Sequence, residues 1–418
     1  MIIGQNELAR RLREAREAAG FTQEDVAKAL GLVRPAVAQI EAGKRKLSSI
    51  ELMTLSRLYG RPPQSFFEES FERDGIACIW RAIPEARKDS TVQKGMSRGM
   101  EIVNAILDLE KKLGHSRLCS SVPSRKLPPV RTKWEAIVQG QEIAEQERNR
   151  LKLGTDPIDN PSAVLDSQGI LVLALELASG ISGFTFRSDP AIVCAVNALD
   201  ARVRQRYSLA HEYCHAVCDI GDTPGIVSRA DQEKDFREVR ADVFAACFLM
   251  PEEGIKSFLA ARGKAIPSRI PAPQMVREEF VEYEARRTER AREIDIIDIV
   301  IMAKTFGVSR ESAIWRLRNL NMINARKQEV FLRKEKEGFG KKIAGLFDVS
   351  ETDISRPRQA TLQNAEQRLF SLAIEAAEAS VISRSKLIEL LRLAGLADDD
   401  IFELPQARRR GNKDRPFI

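Results

Sequence analysis

Histidine and cysteine are scarce in this sequence of 418 residues, which contains three histidines and six cysteines. So few cysteines in so long a chain exclude the dense disulfide framework of small secreted domains and fit buried thiols in a reducing compartment. No apolar run approaches the roughly 18–20 residues that would span a bilayer, and the first residues lack a basic stretch followed by an apolar one. We therefore expect a cytoplasmic protein with no membrane association.

The excess of charge is also small. The chain carries 66 Lys and Arg against 60 Asp and Glu, a net charge of +6, and residues 1–67 supply four of those six charges. A polyanion, if one is bound, is therefore expected at the N-terminus. The composition, 43% hydrophobic and 30% charged, is that of a globular protein, and the length predicts two or three domains.

The first 67 residues have the periodicity of four short helices. The predicted helices cover residues 7–19, 23–30 and 34–42, with a fourth from residue 48 or 49 to residue 60. Gly20 ends the first helix, Thr22 caps the second with Asp25 as a weak capping-box partner, and Gly31 makes the next turn. Two short helices separated by a glycine turn predict a helix-turn-helix.

This stretch resembles the XRE-type (phage-repressor-like) helix-turn-helix family through Thr22-Gln-Glu-Asp-Val-Ala27, Gly31 and Gln39-Ile-Glu-Ala-Gly-Lys44. The resemblance implies binding to a double-stranded DNA operator, with side chains at base edges and at phosphates. The implied base-edge residues are Arg34, Ala36 and Gln39, and the implied phosphate-binding residues are Gln23, Lys44 and Arg45.

The cap of the recognition helix departs from that family. Val33 stands where the family usually has Ser or Thr, and the loss of such a cap costs about 1 kcal/mol of helix stability. This departure leaves the DNA-binding interpretation in place. The alternative is a helical domain that docks a protein instead of DNA.

The sequence of residues 68–133 predicts a helical connector and a linker between two domains. Periodicity lapses over residues 68–89, a helix at about 91–113 follows, and residues 119–133, rich in Ser, Pro, Lys and Arg, form a linker. The apolar stripe of that helix is either the seam of a homodimer, since repressors of this class read two half-sites, or packing within the chain, which so short a stripe favours. His115 has no partner at ligand spacing, so we interpret it as an exposed histidine at a helix end.

The other two histidines, His211 and His215, are four residues apart, with Glu212 between them. On a helix this spacing puts both imidazoles on one face, where they can share a metal ion with Glu212 beside it. A catalytic zinc ion needs a third protein ligand and one open position for water. With histidine nearly exhausted, that ligand must be a carboxylate or a cysteine.

Two candidates for the third ligand follow the histidine pair. Cys218 shares the helical face, but a short thiol one turn beyond His215 reaches poorly to an ion held between two histidines. Glu238 and Asp242 form a like-charge i,i+4 pair, which is unfavourable unless a cation or a histidine lies between them. We therefore predict Glu238 as the ligand and Asp242 as the acceptor of a histidine ring N–H, the alternative being two solvated acids paired with neighbouring arginines.

The segments Leu209-Ala-His-Glu-Tyr-Cys-His215 and Glu238-Val-Arg-Ala-Asp-Val-Phe-Ala-Ala-Cys-Phe-Leu-Met-Pro251 resemble the ImmA/IrrE family of zinc metallopeptidases, over about residues 145–325. The resemblance implies a zincin-like domain that holds Zn²⁺ on His211, His215 and Glu238, with Glu212 as general base in peptide hydrolysis. Asp242 stands where the family usually has Asn, which would strengthen the hold on a histidine and add negative charge. Tyr207 and Tyr213 are nearby candidates for an additional oxyanion donor.

The expected fold class is mainly α with a small β-sheet (α+β), and three short strands are predicted at residues 169–177, 183–186 and 191–196. The predicted domains are the helix-turn-helix domain at 1–67, the connector at 68–133, a metallopeptidase domain with a helical subdomain at 134–325, and a helical region with a basic tail at 326–418. Helices on either side of Gly307 form a second helix-turn-helix or part of the subdomain, and the resemblance favours the subdomain. No chemistry is evident in residues 326–418.

The sequence thus predicts a DNA-binding transcriptional regulator with a zinc endopeptidase that cleaves a regulatory protein, either a repressor or antitoxin or this chain itself. An alternative is a transcription factor whose zincin-like domain is a non-catalytic sensor or dimerisation module. The intact Glu212 disfavours that alternative, because a structural zinc site needs no base. In a third hypothesis, the helical domain at residues 1–67 only binds a protein substrate. This hypothesis predicts no salt-dependent affinity for DNA.

Overall fold

The computed structural model describes residues 4–59, 63–67, 90–115, 122, 125, 127–178, 180–188, 191–220, 225–229, 235–264, 292–346, 364–397 and 399–400. The predicted break in periodicity at residues 68–89 and the predicted basic tail at residues 407–415 lie outside these ranges. In the part of the chain that is described, no helix combines the length and hydrophobicity needed to cross a membrane.

Four short helices and a 3₁₀ turn form the N-terminal unit. They are α1 Gln5–Ala19, α2 Gln23–Leu30, α3 Arg34–Glu41, α4 Ser49–Tyr59 and the turn Pro63–Phe67. Gly20 and Gly31 adopt φ of 70° and 65°, which end α1 and α2 in the left-handed conformation that glycine favours. Thr22 and Asp25 form a complete capping box, whereas Val33, which precedes α3, provides no side-chain cap.

Helix α5, Ser90–Leu113, connects this unit to the rest of the chain. Its predicted apolar stripe is buried in the chain, with Ile102, Ile106 and Leu109 each 2% exposed or less. These side chains join a core that includes residues of the N-terminal unit, the sheet and a C-terminal helix. The stripe therefore packs within the chain, and the alternative of a dimer seam at this stripe is not supported.

Four described strands form one sheet in the order β1-β3-β2-β4, with β1 Ile170–Leu175, β2 Ile181–Ser188, β3 Ala191–Asn197 and β4 Gly225–Arg229. Strand β1 runs parallel to β3, while β2 is antiparallel to both β3 and β4. The first three strands were predicted. The fourth was not, because five residues at a sheet edge give too short a pattern to recognise.

The two faces of this sheet contact different parts of the molecule. On the inner face Val172, Cys194 and Val196 join a core with α8, Arg202–Cys218, and α9, Phe236–Leu249. On the outer face Leu171 and Phe184 join the core that contains the N-terminal unit and α5. The alternation of side chains along each strand therefore places the sheet between two cores.

The remaining helices complete both cores. They are α6 Lys133–Arg150, α7 Pro161–Ser167, α10 Glu252–Ala261, α11 Ile296–Phe306, α12 Arg310–Asn319, α13 Ala325–Lys336, α14 Phe339–Leu346, α15 Asn364–Glu378 and α16 Arg384–Leu393. Helices α11 and α12, the possible second helix-turn-helix, bury Phe306, Ile314 and Leu317 in the inner core. The fold class is the predicted one, mainly α with a small mixed sheet.

Candidate metal centre and DNA-binding surface

Three predicted side chains meet between α8 and α9. Atom Nε2 of His211 lies 3.1 Å from Nε2 of His215 and 3.2 Å from Oε2 of Glu238. The second oxygen of Glu238, Oε1, lies 3.4 Å from Nε2 of His215. Both helices are needed for this arrangement, since the histidines share one face of α8 and the carboxylate comes from the first turn of α9.

Each histidine is also held from its other side by a carboxylate. Nδ1 of His211 lies 3.0 Å from Oδ1 of Asp242, one turn beyond Glu238 on α9. Nδ1 of His215 lies 2.9 Å from Oδ2 of Asp219, at the C-terminal end of α8. Such partners favour the tautomer in which Nδ1 carries the hydrogen and leave the Nε2 lone pairs facing each other.

This convergence of electron-rich atoms requires positive charge between them. Burial alone would lower the pKa of each imidazole, but hydrogen bonds with Asp242 and Glu238 raise the pKa of His211 to about 9. Hydrogen bonds with Asp219 and Glu238 likewise outweigh burial and raise the pKa of His215 to about 10. Burial alone would raise the pKa of Glu238, but the two histidines lower it to about 2. The carboxylates therefore favour a positive charge at this cluster, and a bound metal cation would supply one.

The ligand atoms of His211, His215 and Glu238 lie within 4.8 Å of one another, and no other metal-binding group of this kind occurs among the described residues. In a tetrahedral zinc site with bonds of about 2.0–2.2 Å, ligand atoms lie roughly 3.3–3.6 Å apart. The observed spacings and the donor set of two imidazoles and one carboxylate fit a zinc ion. Cys218, the rival third ligand, lies instead with its Sγ 3.9 Å from Sγ of Cys214.

Glu212 is fully buried beneath the histidine pair. Its Oε2 accepts a hydrogen bond of 2.7 Å from Oγ1 of Thr185 on β2, while Oε1 has no hydrogen-bond partner among the described residues. Burial raises the pKa of this carboxyl above its ordinary value, against the opposing effect of the two histidines. One oxygen of this carboxyl is therefore fixed by the sheet, and the other lies against Gly183 of the same strand.

The position of α9 depends on a close contact with α6. A Cβ at Gly140 would lie 2.6 Å from the carbonyl oxygen of Arg240, so the two helices approach at a distance that only glycine allows. Tyr213, on the face of α8 away from the histidines, donates a 2.7 Å hydrogen bond to buried Glu147 of α6. These contacts hold α6, α8 and α9 as one packed unit.

The two tyrosines considered as oxyanion donors are engaged elsewhere. The Tyr213 hydroxyl contacts Glu147 and also accepts a 3.0 Å hydrogen bond from Arg150. The Tyr207 hydroxyl donates to the carbonyl oxygen of Asp242 at 2.9 Å. Neither hydroxyl is placed in the metal centre in this structure.

Two family models match the sequence, one over the N-terminal helical unit and one over the segment that contains the candidate metal centre. Residues 12–66 match the family described as helix-turn-helix. Residues 165–318, which include both histidines and Glu238, match the family described as IrrE N-terminal-like domain. The chain joins a helix-turn-helix domain to an IrrE-like domain. No curated protein shows a significant match to the chain.

The helix-turn-helix domain exposes only some of the six side chains predicted to contact DNA. Arg34, Gln39 and Lys44 are exposed, whereas Ala36 is half-buried. Gln23 donates a 2.9 Å hydrogen bond to Glu41, and Arg45 forms a 2.7 Å ion pair with Glu51. Gln23 and Arg45 would therefore have to leave acidic partners to contact phosphate.

Two residues of the IrrE-like domain were not anticipated from the sequence. Asp219 lies four residues after His215, and this i,i+4 spacing on α8 was a signal that could have identified it. Thr185 gave no such signal, because its contact with Glu212 arises from the packing of β2 against α8. The remaining histidine, His115, is 40% exposed at its side chain and pairs with Glu375 at 2.9 Å, as an ordinary surface histidine does.

Proposed function

We propose that this protein is a cytoplasmic DNA-binding regulator whose IrrE-like domain is a zinc-dependent endopeptidase. Its substrate would be a regulatory protein, a repressor or antitoxin, or the chain itself. In this proposal His211, His215 and Glu238 bind Zn²⁺, Asp242 orients His211, and Glu212 is the general base.

One observation carries the enzymatic part: a buried carboxylate with a free oxygen lies beside a set of three ligands. A structural zinc site is normally closed by four protein ligands, whereas a catalytic one keeps a position open for water. Three side chains among the described residues could hold a metal ion, and Glu212 Oε1 has no hydrogen-bond partner among those residues. This combination favours hydrolysis over a purely structural or sensory role.

In this mechanism the side chains of the protein transfer protons, and the metal ion would supply the Lewis acid. A bound zinc ion would supply Lewis-acid polarisation of a water molecule and of the scissile carbonyl. Glu212 takes a proton from the water at Oε1 and returns it to the leaving amine, while Thr185 holds Oε2 in place.

The regulatory part depends on the helix-turn-helix domain. Arg34 and Gln39 begin and end the exposed side of α3, and Lys44 follows that helix, so basic and amide groups face solvent together. Such groups suit base edges and phosphates in the major groove. We propose that these side chains bind a double-stranded operator, with Gln23, Ala36 and Arg45 at the margins of the same surface.

The decisive experiment compares the native protein with Glu212→Gln. Both are loaded with zinc and incubated with the regulator encoded by the neighbouring gene, and cleavage is followed by mass spectrometry of the products. We expect the variant to retain one zinc per chain and to lose cleavage by roughly 10²- to 10⁴-fold. If native and variant proteins cleave equally, Glu212 is not the base.

The same experiment distinguishes the proposed endopeptidase from the alternative, a zincin-like domain that is a non-catalytic sensor or dimerisation module. A zinc-loaded native protein that leaves both the neighbouring regulator and itself intact, yet binds operator DNA differently from the metal-free protein, would establish a sensor. Unchanged regulation in cells that carry Glu212→Gln would point the same way.

A further inference from the structure

Two neighbouring strands, β2 and β4, carry side chains that face Glu212 on α8. Gly183 of β2 pairs with Ser228 of β4, and Thr185 lies two residues further along β2. In an antiparallel pair, opposite residues and residues two apart project from the same face. The outward residues between them, Phe184 and Val227, join the outer core, so Gly183, Thr185 and Ser228 face α8.

Thr185 is the side chain that fixes the carboxylate. It is fully buried, and its Oγ1 lies 2.7 Å from Oε2 of Glu212 and 3.1 Å from the Glu212 backbone oxygen. A hydroxyl has one hydrogen to donate, and the shorter, charge-assisted contact to the carboxylate is the stronger of the two. Replacing this hydroxyl by a methyl group would remove a hydrogen-bond donor from a buried carboxyl oxygen.

Gly183 provides the space for the other oxygen. A Cβ at this position would lie 2.8 Å from Glu212 Oε1 and 2.6 Å from the carbonyl oxygen of Ala195, so no larger residue fits. Across the strand pair, Ser228 is 3% exposed. Neither its hydroxyl nor Oε1 of Glu212 meets strict hydrogen-bond geometry with a described residue, yet Ser228 lies close enough to Glu212 to oppose the burial that raises the pKa of this carboxyl. Buried polar atoms are normally paired, and the Ser228 hydroxyl and the Glu212 carboxyl can pair with each other.

We propose that Thr185 and Ser228 are positioning residues for Glu212, on either side of the space left by Gly183. Thr185 fixes Oε2, and the Ser228 hydroxyl lies against the same carboxyl from the neighbouring strand and restrains its orientation. The inference rests on the proposed function, in which Glu212 is the base. It assigns to the sheet a direct part in aligning that base, beyond supporting α8.

The first test uses metal-free protein and needs no substrate. Urea unfolding, followed by tryptophan fluorescence, is measured for Thr185→Val in the native background and in a Glu212→Ala background. We expect Thr185→Val to lower the urea midpoint in the native background and to lower it by less than half as much when the carboxylate is absent. Equal losses in both backgrounds would overturn the proposed contact between Thr185 and Glu212.

The second test measures zinc content and cleavage of the neighbouring regulator. Thr185→Val and Ser228→Ala should each keep one zinc per chain and lower kcat by roughly 10- to 100-fold, with little change in KM. Thr185→Ser, which restores the hydroxyl, should recover most of the loss. Ser56→Ala is the matched control, because Ser56 is a buried serine of the helix-turn-helix domain whose hydroxyl has no hydrogen-bond partner in the part of the chain that is described.

The outcomes distinguish this inference from the proposed function. Native activity in both Thr185→Val and Ser228→Ala, or the same loss in Thr185→Ser as in Thr185→Val, would overturn the positioning roles while leaving Glu212 as the base. If the native protein cleaves nothing, the proposed function fails, and the unfolding comparison still decides whether Thr185 holds Glu212. If Thr185→Val does not fold, Thr185→Ser and Ser228→Ala carry the test.

Discussion

Asp219 joins His215 to Arg240: one carboxylate oxygen lies 2.9 Å from Nδ1 of His215, and the other accepts a 2.5 Å hydrogen bond from the guanidinium of Arg240. Asp219 follows the last residue of α8, and Arg240 belongs to α9. The two helices that carry the proposed metal ligands are therefore connected by a side chain that contacts one of those residues.

Asp219→Asn should weaken zinc binding by roughly 10- to 100-fold, because a carboxylate that accepts the ring N–H sets both the orientation and the basicity of the ligand. Asp242→Asn is the matched comparison and should have a smaller effect, since the Asp242 side chain is 59% exposed and that of Asp219 is 9% exposed. Competition with a chelator of known zinc affinity measures both. A larger effect at Asp242 would contradict this order.

Glu238→Ala should lower the zinc stoichiometry well below one per chain, since it removes the only carboxylate that lies between the two histidines in the described structure. Cys218→Ala should bind zinc like the native protein, because its thiol lies beside Cys214 and outside the ligand cluster. Atomic absorption after dialysis gives both values. The reverse result would make Cys218 the third ligand.

Combining Arg34→Ala with Gln39→Ala should remove specific operator binding, because both exposed side chains are assigned to base edges, each worth about 1–3 kcal/mol of discrimination. Arg384→Ala, at an exposed arginine of α16, controls for the loss of positive charge. Fluorescence anisotropy with operator and with unrelated duplexes measures both affinities. Unchanged specificity in the double variant would reject the base contacts.

Lys44→Ala should weaken binding to all duplexes alike and reduce the slope of log affinity against log salt by about 1, as expected for one lost phosphate contact. Lys44 is exposed just after α3. An unaltered salt slope would show that Lys44 does not contact phosphate.

Glu147 should make the stability of the IrrE-like domain sensitive to acid. Burial raises the pKa of this carboxyl, but hydrogen bonds from Arg150, Tyr213 and Arg125 outweigh burial and lower the pKa below its ordinary value of 4.5. A lowered pKa contributes stability that is present above pH 4.5 and is lost as the pH falls below it. Glu147→Ala should lower the free energy of unfolding at neutral pH by about 3 kcal/mol and flatten this dependence, as urea unfolding from pH 7 to pH 3 would show.

Local sequence patterns were sufficient to predict those features that depend on residues close together in the sequence. The helix-turn-helix was predictable because Thr22 with Asp25 and the two glycines define where its helices begin and end. The meeting of His211, His215 and Glu238 was predictable because i,i+4 spacing fixes one helical face and the scarcity of histidine points to a carboxylate. Their chemical roles remain predictions.

Contacts made across the sheet could not be predicted in this way. Ser228 lies on the strand that the sequence did not reveal, and its register with Gly183 is set by strand pairing. Thr185 approaches Glu212 only because β2 packs beneath α8. The fixed positions of Tyr207 and Tyr213 likewise depend on partners from α9 and α6 that are far away in sequence.

The two-sided sheet has a consequence for any attempt to isolate the IrrE-like domain. We propose domain boundaries at 67, 133 and 325, yet the outer face of the sheet, with Leu171, Leu173, Phe184 and Phe186 all nearly inaccessible, is covered by α5 and α15 from outside the 134–325 segment. A shortened chain limited to that segment would place a continuous apolar surface in water. We expect it to aggregate, whereas the full chain, which keeps the outer core intact, should remain monodisperse.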